Sequence, residues 1–132
     1  MKLIVCVDDF DGMMFNHRRQ SQDKFLRERV LTLVGEAPIY MTSYTKRQFE
    51  DADNIIVADS PPKNSPEAYY FWEDGEVDLS SFDGVIVYRW NRHYPADRYF
   101  KPELLNGFEL CSTHEFKGYS HERITEQIFK KR

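Results

Sequence analysis

Two nearly continuous apolar runs most constrain what this chain can fold into: residues 2–7 (KLIVCV) and residues 84–90 (GVIVYRW). A strand with one wet face alternates apolar and polar residues. These runs do not alternate, so each is expected to be covered on both faces, as central strands of α/β sheets are. Helical signals separate further strand signals. Residues 21–33 carry Phe25, Leu26, Val30, Leu31 and Leu33 as a stripe, with Ser21 as a candidate cap and Gly35 at the close. A strand is expected over 38–44 and a short helix over 45–51 capped by Thr45. Another strand follows over 54–58, then a proline-rich loop over 60–66.

Beyond that point the aromatic stretch 67–73 (EAYYFWE) reads as an edge strand or hairpin arm. Residues 95–99 read as one helical turn and 108–113 as a strand. Residues 120–130 read as a closing helix with Ser120 as cap and Ile124 and Ile128 on one face. The expected architecture is therefore α/β: one domain over 1–132 with a mostly parallel central sheet flanked by helices.

Composition narrows the function classes. With 22 acidic against 18 basic residues, the net charge of −4 gives no global steering toward nucleic acid or anionic membrane. The first apolar stretch meets carboxylates after five residues, so it reads as neither leader nor membrane span. A cytoplasmic location is expected, and with it two buried, reduced thiols at Cys6 and Cys111.

Ligands of open α/β sheets bind at the carboxyl ends of the strands. Polar groups gather after three of the expected strands: Asp8, Asp9, Asp11, Asn16, His17, Arg18 and Arg19; Thr42, Ser43 and Tyr44; and Arg89, Trp90, Asn91, Arg92, His93 and Tyr94. This edge is the expected site. A small anionic or nucleotide-like ligand would lie on Asp8, Asn16, Arg18, Arg19, Asn91 and Arg92, with Trp90 or Tyr94 as a stacking wall. An enzymatic version is a metal-independent nuclease or phosphoryl-handling enzyme. In it His93 or His17 moves the proton and Arg89 or Arg92 stabilises phosphate charge. The competing class is a protein-interaction module, or a self-associating chain, using Phe10, Phe15, Tyr69, Tyr70, Phe71 and Trp72 as an aromatic patch.

Metal signals are weak. His114 and His121 stand seven apart, each with a Glu beside it, but form no HxxxH pair. The Asp8–Asp9–Phe10–Asp11–Gly12 run resembles the first motif of haloacid-dehalogenase-type phosphotransferases, although Met13 stands where a Thr usually follows. The plainer reading of the run is a solvated turn with Asp caps. No metal is assigned, and the cofactor stays unknown.

The stretch from Val7 to Val57 resembles dihydrofolate reductase. Val7–Asp8, Gly12–Met13, Asn16, Pro38–Ile39, Met41, Thr45 and Asn54–Ile55–Ile56–Val57 follow in that family's order. Asp23 stands where the family places its substrate-binding carboxylate, on the first helix. The resemblance implies a dihydrofolate-reductase-like fold, truncated in its second half. Residues 18–22 replace the Trp and Pro that precede the acidic residue in the family. Val85-Ile86-Val87-Tyr88-Arg89 replaces the glycine pair that holds the nicotinamide cofactor. The whole chain is also similar to short bacterial proteins that carry the name ribonuclease Z, through MKLIVCVDD, GMMFN-x-RRQSQD, VIVYRWNR-x-YPAD and GYSHE-x-IT. That name implies two zinc ions on an HxHxDH motif; His17, His93, His114 and His121 contain no HxH.

Overall fold

In the computed structural model, which describes residues 1–132, the apolar runs lie side by side. Strand β1 (Lys2–Val7) pairs in parallel with β7 (Gly84–Arg89), Lys2 opposite Gly84 and Val7 opposite Arg89. Residues Leu3, Ile4, Val5 and Val7 have no measurable exposure, as do Val85, Val87 and Tyr88. Their side chains divide by parity, as a pleated strand requires. Leu3, Val5, Val7, Val85 and Val87 enter one core cluster; Ile4, Ile86 and Tyr88 enter another on the opposite face.

The seven-stranded sheet has the order β5-β4-β6-β1-β7-β10-β9. Its other members are β4 (Ile39–Met41), β5 (Ile55–Val57), β6 (Tyr69–Phe71), β9 (Phe108–Phe116) and β10 (Ile124–Lys131). The strands from β5 to β7 run parallel, while β10 is antiparallel to both β7 and β9. The sheet is thus mixed: β10 runs against the other six strands, and five of those six pair with one another in parallel.

Helix α1 (Lys24–Val34) covers one face through Leu26, Val30 and Val34. The short α2 (Ser43–Lys46) follows β4. The other face is covered by a second sheet rather than by helices. It consists of β2 (Gly12–Phe15), β3 (Arg18–Arg19) and β8 (Arg98–Tyr99), in the order β3-β2-β8, and supplies Met13, Met14 and the neighbouring Phe100 to the core.

Several expectations are corrected. Residues 124–131 form a strand, not a helix. An Ile124–Ile128 spacing of four fits one turn of helix, but it also fits two pleats of a strand, and here it is the latter. Residues 69–71 are an interior strand between β4 and β1, so Tyr70, Phe71 and Trp72 are buried. The aromatic patch does not exist as one surface: only Phe10 and Phe15 of its core members are exposed. Residues 98–99 pair with β2 instead of forming a helical turn. Thr42, not Thr45, caps α2, and Asp23, not Ser21, caps α1. Cys111 is exposed on β9, three strands from the half-buried Cys6 on β1; at about 4.8 Å per strand they stand beyond disulfide reach. No helix is long and apolar enough to cross a membrane.

Candidate functional site

The parallel strands end at one edge, and Asp8 organises it. This buried carboxylate accepts at Oδ1 from the backbone N–H groups of Phe10 (2.9 Å) and Gly12 (2.8 Å). At Oδ2 it accepts from Gln20 Nε2 (3.0 Å) and the Tyr94 N–H (3.1 Å). Burial raises its pKa, but these hydrogen bonds outweigh burial and hold the carboxyl below its usual value. Asp8 therefore ties the end of β1 to β2 and to the loop after β7. Gly12 must lack a side chain here: a Cβ would stand 2.6 Å from Gln20 Nε2 and 2.7 Å from Ala96 Cβ.

The remaining expected ligand groups separate into engaged and free. Arg19 is engaged: its Nε and Nη2 form a two-pronged pair with Glu73 (2.9 and 3.0 Å), and its guanidinium lies 4.3 Å from the Tyr44 ring centre. Thr45 Oγ1 donates to the same carboxylate at 2.8 Å. Arg89 is engaged by Asp11 (3.0 Å) and Gln127 (2.8 Å), so it does not face the edge free to hold phosphate. Asn91 donates to Thr125 Oγ1 and to the Arg123 carbonyl. Trp90 is buried and stacked on His121, with ring centres 4.6 Å apart, and cannot serve as a wall for a base. Asn16 and His17, both at positive φ, form the two-residue turn of the β2–β3 hairpin, a conformation asparagine tolerates well. That turn exposes His17 and Arg18. His93 is exposed and packs edge-on against Phe10.

Arg92 is the exception after β7. It is exposed, and its contact within the protein is one long hydrogen bond, 3.4 Å, to the Ser120 carbonyl. It borders a recess of about 500 Å³ shared with Trp90, Asn91, Glu115, Glu122 and Arg123. Arg123 and Glu115 pair with each other at 3.1 Å.

A second cluster lies beside this recess and was not legible in the sequence. Asp23, at the start of α1, accepts at Oδ1 from the N–H groups of Phe25, Leu26 and Tyr119. Its Oδ2 accepts from the Ser120 N–H and hydroxyl and from His121 Nδ1 at 2.8 Å. Burial pushes this carboxyl up; the donors from Tyr119, His121, Ser120 and Leu26 outweigh it and hold it far below the usual carboxylate range. The other nitrogen of His121, Nε2, meets Ser21 Oγ at 2.9 Å and Tyr94 Oη at 3.1 Å. Asp23 and His121 are 98 positions apart, so only the fold brings them together. His114 lies on exposed β9, stacked on Phe116, and does not converge with the buried His121.

No protein-family model matches the chain, and no curated protein is significantly similar in sequence. The solved structures do match. A dihydrofolate reductase from Enterococcus faecalis, complexed with NADP(H) and RAB-propyl, superposes with a TM-score of 0.69 at 7% identity, over 99% of this chain and 95% of that one. The chain has the dihydrofolate reductase fold. That likeness spans both halves, which corrects the expectation of a truncated second half. Nothing in these comparisons connects the chain with ribonuclease Z.

The residues themselves do not fit dihydrofolate-reductase chemistry. Asp23 stands on the first helix as that resemblance implies, but both of its oxygens are filled by protein donors. The stretch that replaces the cofactor-holding glycines, Val85–Arg89, is a strand of the central sheet whose first four residues are buried.

Proposed function

We propose that this protein binds a small anionic ligand at the carboxyl edge of its parallel strands, in the recess beside Arg92. The observation that carries the reading is the contrast among the arginines. Arg19, Arg89 and Arg123 are each paired with a carboxylate, whereas Arg92, which lines the recess, has only a long bond to a carbonyl; Arg18 is also unpaired but stands on the exposed β2–β3 hairpin, outside the recess. An unpaired guanidinium presents a planar set of donors suited to a carboxylate or phosphate. The fold supports the location, since open α/β sheets bind ligands at this edge. Glu115 and Glu122 also line the recess, and their charge favours a compact anion held weakly over a polyanion. Nothing in the comparisons supports the nuclease version, and burial of Tyr70, Phe71 and Trp72 dismantles the aromatic patch of the interaction module.

Thermal unfolding with inorganic phosphate, AMP, NADP⁺ and dihydrofolate tests the reading. A ligand at ten times its Kd stabilises by about 1.4 kcal/mol, which raises Tm by roughly 3–7 °C in a domain of this size. The expected result is such a shift with phosphate or AMP in the wild type and none in Arg92→Ala. No shift with any of the four, or an equal shift in Arg92→Ala, would overturn it.

A further inference from the structure

We infer that Ser21, His121 and Asp23 form a nucleophilic relay that transfers the acyl group of a small ester to water. Three side chains stand in line: Ser21 Oγ is 2.9 Å from His121 Nε2, and His121 Nδ1 is 2.8 Å from Asp23 Oδ2. This is the order nucleophile, base, orienting carboxylate that hydroxyl activation needs, and it is recognised by geometry rather than by sequence order.

The roles follow from the surroundings. The ionised Asp23 can only accept, so Nδ1 of His121 carries a proton, and in the neutral ring Nε2 then presents its lone pair to Ser21 Oγ and Tyr94 Oη. The ring cannot swing away, because it stacks on Trp90 with planes 25° apart and is itself almost wholly buried. The loop that carries it approaches closely only because residue 118 is glycine. A Cβ there would stand 2.8 Å from Asp23 Oδ2 and 2.8 Å from the His121 carbonyl oxygen. Ser21 is partly exposed, as a nucleophile must be, and Tyr94 Oη, 3.5 Å from its Oγ, can donate to it.

In the reaction, Ser21 Oγ bonds to the acyl carbon while its proton passes to His121 Nε2 and the carbonyl π electrons move to oxygen. Collapse breaks the bond to the leaving alkoxide, which takes the proton from His121. Water then attacks the acyl-serine by the same path, releasing the carboxylic acid and restoring the hydroxyl. The inference does not rest on anion binding at Arg92.

The test uses a fluorophosphonate probe and p-nitrophenyl acetate on the full chain. The expected result is stoichiometric labelling that peptide mass spectrometry places on Ser21, together with p-nitrophenol release. Both are abolished in Ser21→Ala, whose lost hydroxyl touches only His121 and Tyr94. Labelling should slow by about 100-fold or more in His121→Gln, the range a general base supplies. Because His121→Gln alters a buried hub, the wild type is also labelled in urea, where Ser21 should lose its reactivity. Absence of label on Ser21, or equal labelling in folded and unfolded protein, would overturn the inference.

Discussion

Replacing Glu126, the one carboxylate of β10, by alanine should strongly destabilise this domain. Glu126 is buried, and three donors converge on it: Arg29 Nε and Nη2, both at 2.9 Å, and Tyr88 Oη at 2.8 Å. Tyr88 has no exposure, so its hydroxyl would lose its acceptor with no water to replace it, which costs about 1–3 kcal/mol. Arg29 is more than a third exposed, so its share is that of a solvent-screened pair, about 1 kcal/mol at most. The expected loss is therefore about 1–4 kcal/mol. Tyr88→Phe removes the stranded hydroxyl and keeps the carboxylate on Arg29, at about 1 kcal/mol. In the double variant the orphaned hydroxyl no longer exists, so its loss should fall short of the sum by about 1–2 kcal/mol. Urea unfolding followed by tryptophan fluorescence reads this directly. With m of about 2 kcal/mol/M, Glu126→Ala should lower the midpoint by roughly 0.5–2 M. A loss below about 1 kcal/mol, or strict additivity in the cycle, would refute the reasoning.

Three other outcomes are expected. Asp8→Asn keeps the shape but turns an N–H₂ group toward two of the four donors that surround Asp8; it should cost about 2–3 kcal/mol and speed amide exchange at Gly12 or at Tyr94, and unchanged exchange at both would contradict the edge geometry. The folded-state pKa values of Asp8, Asp23 and Glu126 are all depressed, so their stabilisation is present above the unfolded values near 4 and is lost as pH falls through the folded ones. The urea midpoint should be flat above about pH 5 and decline below about pH 4, and a rise on acidification would be inconsistent with it. Maleimide should modify exposed Cys111 first, since burial and then the Glu73 carboxylate push the Cys6 thiol well up; faster reaction at Cys6 would show that β1 is open.

The central pair β1 and β7 could be read from the sequence because burial on both faces leaves an unbroken apolar run. What failed has equally physical causes. Residues 124–131 carry Ile124 and Ile128 on one side and Phe129 on the other, and four residues fit either period; the deciding contact, β10 against β7, is long-range. The Tyr69–Phe71 strand is only three residues long, too short for its neighbours on both sides to leave a pattern. Asp23 reads as the substrate-binding carboxylate of the resemblance, but it caps α1, and its partner His121 arrives from a loop 98 positions later. Topology gathers the polar strand ends at one edge, but which arginines there are paired was not legible, since Glu73, Asp11 and Gln127 meet them only through the fold.

The place of β1 in the middle of the sheet also sets a timetable. Lys2 pairs with Tyr69 on one side and Gly84 on the other, so both neighbours of the strand are encoded half the chain or more away. At about 5–20 residues per second of synthesis, an unpaired LIVCV segment waits roughly 4–16 s for β7 to be made. Parallel pairing across such separations is slow even once both strands exist. During that interval the most apolar stretch of the chain has every backbone donor and acceptor open, which makes the nascent protein a client for holding chaperones before it is anything else.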